Sequence, residues 1–262
     1  MNIILVVGML AVFSSCSTDQ NPDIAISSTI LENKWEIWRT KTVEIAFKSL
    51  QRVHLPYNFV LDKVAVSSFA DSVEILGINL QGINKFDDRF YNFKNVTTLT
   101  IEKINTDSII IDFAQFNKLY ELFYSMENGS NLFDDEFVVP SVKIVDIVGC
   151  PTLKSIDKGI NGFCNLTTLH FKNLPYRTVY NFSFADLDSL EYLELLGCNL
   201  DSFPGDLLSN NTITHLILTN NNLQYLPDSI TKMKRLKFIT LHKNKFITKP
   251  ILPDKYWIVM DE

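Results

Sequence analysis

The chain has 262 residues and a mass of 30.0 kDa, enough for one large domain or two small ones. It is 46% hydrophobic and 21% charged, values that exclude a disordered or collagen-like chain. Its net charge of −6 gives no overall basic character for nucleic acid, and its four cysteines exclude a disulfide-dense scaffold.

The N-terminus reads MNIILVVGMLAVFSSC. The apolar run from Ile3 to Phe13 has the length of a signal-peptide core and is too short to span a bilayer. Ser14 and Ser15 then precede Cys16, and this arrangement resembles a bacterial lipoprotein signal, cut before the cysteine. The resemblance implies residues 1–15 as signal peptide and Cys16 as the acylated residue. Phe13 stands where leucine is usual, and no Lys or Arg lies in the first residues. Lipid chains contribute about 0.8 kcal/mol per buried CH₂, so several of them anchor a protein without a transmembrane helix. The polar residues through Asp23 read as a tether, giving 16–23 as a lipidated linker. The implied address is an exported lipoprotein of the outer membrane or cell surface.

A repeat fills the following sequence. LEYLELLGCNL begins at Leu190, ITHLILTNNNL at Ile213 and LKFITLHKNKF at Leu236. Earlier members begin at Leu50, Val73, Val96, Leu119, Val142 and Leu166, so nine units recur every 23 or 24 residues between residues 50 and 246. The alternating apolar centre of each unit predicts a short strand with every second side chain buried. One such strand cannot bury its face alone, so neighbours must stack. Second apolar pairs, among them Phe86 with Phe90, Ile109 with Phe113, Phe203 with Leu207, and Leu226 with Ile230, would fill the core from the other side.

This pattern resembles the leucine-rich repeat family. The resemblance implies an α/β right-handed solenoid, or horseshoe, with a parallel concave β-sheet and short helical or extended convex turns. The Asn or Cys of each unit sits where the chain turns inward, and a buried polar group there can satisfy backbone groups of adjacent turns. Asn58, Cys150, Cys198, Asn221 and Asn244 fit this position, whereas Gln81, Ile104, Glu127 and Leu174 depart from it. Cys150, Cys164 and Cys198 are expected to be buried free thiols. Residues 24–49 are expected to form an N-terminal cap and 247–262 a C-terminal cap, with a closing strand around Tyr256–Met260.

The residues between the buried positions form two outward rows on the concave side. The first includes Asp146, His170 and Glu194, which should lie on successive strands about 4.8 Å apart. They read either as a solvated ion ladder of small energy or as a polar contact site. A metal site is a weaker alternative, because parallel side chains seldom converge on one ion. The second row brings Tyr192, His215 and Phe238 together as an aromatic ridge suited to a ligand, unless the side chains merely shield the sheet or the C-terminal segment covers them.

No phosphate-binding Gly-rich loop, paired CxxC, HExxH or GxSxG occurs. The sequons at Asn95 and Asn165 are short enough to arise by chance. Asp-Ser-apolar triplets at Asp71, Asp107, Asp188 and Asp228 resemble an O-glycosylation signal of Bacteroidetes-like bacteria. The expected function is non-enzymatic recognition of a protein or glycan on the concave face, with membrane attachment through lipid. No cofactor, metal or nucleic-acid partner is expected. The alternative is a structural subunit or spacer of a bacterial surface complex.

Overall fold

The computed structural model describes residues 24–25, 52–55, 70–80, 86–104, 111–126, 138–149, 153, 155–156, 158–175 and 178–260. The expectations for Cys16, Asn58, Gln81, Asp107, Ile109, Glu127 and Cys150 lie outside them. Among the described residues no helix is long and apolar enough to cross a membrane.

Nine strands begin where the repeat phasing places them. They are β2 (Arg52–Leu55), β3 (Ile75–Asn79), β4 (Thr98–Ile104), β5 (Glu121–Met126), β6 (Ile144–Val148), β8 (Thr168–Lys172), β10 (Tyr192–Leu196), β11 (His215–Ile217) and β12 (Phe238–Thr240). Two more flank them, β1 (Ile24–Ala25) before β2 and β13 (Trp257–Val259) after β12. All eleven form one open parallel sheet in chain order. A second, two-stranded parallel sheet pairs β7 (Ser155–Ile156) with β9 (Val179–Tyr180).

Alternation drives this arrangement. In β8 and β10 Leu169, Phe171, Leu193 and Leu195 are fully buried while their neighbours are half-exposed. The other side of the core comes from short 3₁₀ helices, which suit units too short for longer helices. Phe90, Phe113, Ile160, Phe184, Leu207 and Ile230 each point inward from one of them. Three residues later a backbone N–H closes each turn onto that residue's carbonyl, as in Phe93 to Phe90 at 3.2 Å and Met233 to Ile230 at 3.0 Å. Phe93, Phe116 and Phe163 fill this closing position, and Asn210 takes it in a later turn. Asn210 is buried but fully engaged: Nδ2 donates to Phe184 O, and Oδ1 accepts from the backbone N–H groups of Thr212 and Ile213.

The expected polar ladder is present in the later turns. Cys198 Sγ donates to Phe171 O at 3.1 Å, Asn221 Nδ2 to Leu195 O at 2.7 Å, and Asn244 Nδ2 to Leu218 O at 2.8 Å. In return, Asn221 Oδ1 accepts from Leu200 N–H and Asn244 Oδ1 from Leu223 N–H. Each side chain thus ties one turn to the turn before it. Leu174 departs from the ladder as expected, and its side chain is buried as core.

A second ladder was not anticipated. Gly149, Asn173, Gly197, Asn220 and Lys243 all have positive φ, from 53° to 63°; the first three immediately follow β6, β8 and β10, and the last two lie three residues past the ends of β11 and β12. Their 23- or 24-residue spacing repeats the phase of the strands. Gly and Asn favour this left-handed conformation, so the chain turns off the concave sheet the same way each time.

Candidate functional site

Strand register aligns the two outward rows. Asp146 pairs with His170 and His170 with Glu194 across β6, β8 and β10. Tyr192 pairs with His215, His215 with Phe238, and Phe238 with Trp257 across β10 to β13. The candidate residues therefore occupy neighbouring positions of one rigid surface.

The charged row departs from an open, solvated ladder. Asp146 is only 4% exposed, so the burial pattern of β6 is continuous rather than alternating at its centre. Its carboxylate is held by a residue outside the expected row. Lys172 Nζ donates to Asp146 Oδ2 at 2.7 Å and lies 3.5 Å from Glu194 Oε2. His170 Nδ1 lies 3.2 Å from the same Asp146 oxygen. Lys172 is one strand alternation beyond His170, so a third outward row would have found it.

Burial alone would push the Asp146 carboxyl upward, but hydrogen bonds from His170 and Lys172, with the lysine charge, outweigh it and hold the pKa below the ordinary carboxylate value. Burial would likewise lower Lys172, but Asp146 and Glu194 reverse the direction and raise it. The lysine ammonium is the cation between the two carboxylates, and among the described residues no group of three or more His, Cys, Asp or Glu could hold a metal ion.

The aromatic row is continuous. Tyr192 and His215 stack at 5.7 Å between ring centroids with a 21° interplanar angle, and His215 meets Phe238 at 5.7 Å and 38°. His170 approaches Tyr192 edge-on at 5.3 Å, which joins the aromatic and charged rows. The Tyr192 phenol is raised by burial and by the Glu194 charge. The closing strand adds Trp257, 72% exposed and in register with Phe238. The sequence signal for Trp257 was its place at the outward position of that strand.

No family profile matches the chain, and no curated protein does. Solved structures do. The TLR13–ssRNA13 complex aligns with a TM-score of 0.57 at 19% identity, over 76% of this chain and 31% of that one. The leucine-rich repeat domain of the type III effector XCV3220 (XopL) aligns with a TM-score of 0.55 at 18% identity, over 78% of this chain and 72% of that one. The fold is a leucine-rich-repeat solenoid. At these identities the likeness speaks to fold alone, and the chain spans less than a third of the TLR13 chain.

The thiols of this leucine-rich-repeat solenoid divide in a way the spacing did not reveal. Cys198 is buried in the ladder, and burial pushes its thiol up to about 12. Cys164 is exposed, contrary to expectation. It sits in the turn after the 3₁₀ helix Lys158–Gly162, and the adjacent Phe163 takes the inward position. The sequon asparagines Asn95 and Asn165 bind neighbouring turns of the solenoid. Asn95 Nδ2 donates to Asp71 O, and Asn165 Nδ2 donates to Pro140 O at 3.1 Å.

Proposed function

We propose that this leucine-rich-repeat protein is a non-enzymatic recognition protein that binds a protein partner through its concave sheet, from Asp146 to Trp257. The observation that carries the reading is the register of Tyr192, His215, Phe238 and Trp257 beside the Asp146–Lys172 cluster. Aromatic side chains give large contact area at small entropic cost, and a rigid sheet loses little freedom on binding. The rings of Tyr192, His215 and Phe238 lie against one another along the solenoid. Their faces are therefore covered from within the row, which favours a protein surface meeting ring edges over a sugar stacked on a ring face.

The reading includes export and attachment to a bacterial surface through lipid on Cys16, supported by the Ser14-Ser15-Cys16 pattern. Metabolic labelling with a radioactive fatty acid tests this part. Label should enter the parent chain and be absent from Cys16→Ser.

The recognition part is tested by capture from native membranes. The bait is the parent protein beside a folded Tyr192→Ala/His215→Ala/Phe238→Ala variant. A protein captured by the parent and lost by the variant supports the reading. A partner held equally by both would move the interface off this row. Saturable binding of a defined glycan, lost in the variant, would replace the protein ligand with a sugar.

A further inference from the structure

The net charge of −6 conceals a strong local imbalance. Between Ser229 and Pro253 the sequence carries seven Lys or Arg residues and no Asp or Glu, and Lys255 follows. The overall acidic balance therefore coexists with a basic stretch at the last two turns of the solenoid. Asp228 and Asp254 flank the segment, and the acidic pair at 261–262 lies outside the described residues.

The edge where the strands begin shows how this charge is confined. Asp186, Asp188 and Glu191 are exposed on the turn leading into β10. One turn later the equivalent positions are Ser209, Asn211 and Thr214, all uncharged. The next turn presents Lys232, Lys234 and Lys237, with Arg235 between them, all exposed. Backbone bonds from Thr214 to Glu191 and from Lys237 to Thr214 place these residues in one column. None of the four cations forms an ion pair among the described residues. Lys245 and Lys249, in the turn that follows β12, are also exposed.

The same end carries protruding apolar groups. Ile251 is 96% exposed, and Tyr225, Ile247 and Trp257 each exceed 60%. Among the described residues only one other large apolar side chain, Val138 at 64%, exceeds 60% exposure, and Tyr120 follows at 51%. Tyr225, Lys249 and Ile251 share the rim of a cavity of about 520 Å³, and Ile247 hydrogen-bonds to Gln224 beside them.

We infer that this basic, apolar-tipped end docks on an anionic lipid bilayer. A soluble polyanion would satisfy the cations but leave the protruding Ile251 and Ile247 without a role. A bilayer satisfies both, because headgroups neutralise Lys and Arg while aliphatic and aromatic groups enter the interfacial layer. The inference does not depend on acylation of Cys16 or on a concave ligand.

The test is flotation of the full chain carrying Cys16→Ser, with vesicles of phosphatidylcholine alone and of phosphatidylcholine mixed with phosphatidylglycerol. The readout is the ratio of anionic to neutral binding, which cancels any contribution of the N-terminal apolar run. The ratio should be well above unity and fall as salt is raised. Lys234→Glu/Arg235→Glu/Lys237→Glu should lower anionic-vesicle binding at least about 100-fold, from about 1 kcal/mol per cation near an anionic surface. Ile251→Ser should lower it about tenfold while leaving the fold intact. Equal binding to both vesicle types, or no loss in the charge-reversed variant, overturns the inference. So does binding of a single-stranded RNA or polyglutamate probe without vesicle binding, because that outcome assigns the cations to a soluble polyanion.

Discussion

Lys172 reaches diagonally from β8 to Asp146 on β6, closing an ion pair of 2.7 Å whose carboxylate is almost wholly shielded from water. The second carboxylate oxygen, Oδ1, is buried without a hydrogen-bond partner among the described residues. The lysine and His170 therefore supply the compensation that makes an acid tolerable at this position. Removing one partner of a buried pair strands the other, and that is the expensive perturbation. Lys172→Ala should destabilise the fold by about 2 kcal/mol, below the range for fully buried pairs because the lysine remains partly solvated. Lys172→Ala/Asp146→Asn should recover part of the loss. Urea unfolding of both variants measures this, and equal stability of parent and Lys172→Ala contradicts the role assigned to the pair.

The same cluster sets an acid limit. The Asp146 pKa lies below its ordinary value in the folded state, so the unfolded state binds its proton first as pH falls. Its contribution is present above the ordinary carboxylate pKa and disappears as pH falls through the lowered folded value. Lys172 has the opposite shift, and its contribution is complete below the ordinary lysine pKa and lost as pH rises through the raised folded value. The pair should thus stabilise the protein throughout the neutral range. Unfolding free energies measured below about pH 4 should decline less steeply for Asp146→Asn than for the parent. Parallel acid limbs would place the dominant titration elsewhere.

These effects mark where reading from sequence reached its limit. Apolar alternation and the 23- or 24-residue period placed all nine repeat strands and both outward rows, because burial on one face fixes register. The period identified Tyr192, His215 and Phe238 as neighbours for the same reason. Lys172 was missed because its contact is diagonal, linking residues out of register on adjacent strands. Asp146 was expected to be solvated because alternation describes the direction of a side chain, not the size of the groups covering it. Cys164 was misplaced because turn positions lack the alternation that makes strand positions legible.

The two described cysteines should differ sharply in reactivity. Thiolate is the reactive form, and Cys198 combines burial with a thiol pKa raised to about 12. Cys164 is exposed in its turn. Under native conditions a maleimide should modify Cys164 rapidly and leave Cys198 unmodified until the protein unfolds. Peptide mapping by mass spectrometry assigns the modified positions independently of other cysteines in the chain. Equal native labelling at both sites would show that the later turns open without global unfolding.

The left-handed ladder separates two costs of adding a side chain at a turn. Gly149 and Gly197 have nearly identical φ, 61° and 63°, but different surroundings. A Cβ at Gly149 meets nothing within 4 Å, whereas one at Gly197 would approach Asn173 Oδ1 to 2.8 Å and Asn220 Nδ2 to 3.2 Å. Gly149→Ala should therefore cost about 1 kcal/mol, the conformational penalty alone. Gly197→Ala should cost more, because Asn173 and Asn220 belong to the same ladder and must also shift. Lys243 occupies this conformation with neither glycine's freedom nor asparagine's tolerance of it, so Lys243→Gly should stabilise the native state by about 0.5–1 kcal/mol. Urea denaturation of the three single variants measures the series. The order Lys243→Gly, parent, Gly149→Ala, Gly197→Ala, from most to least stable, is expected. If Gly197→Ala is no worse than Gly149→Ala, the neighbouring asparagine side chains move aside at negligible cost, and the ladder is held by backbone conformation alone.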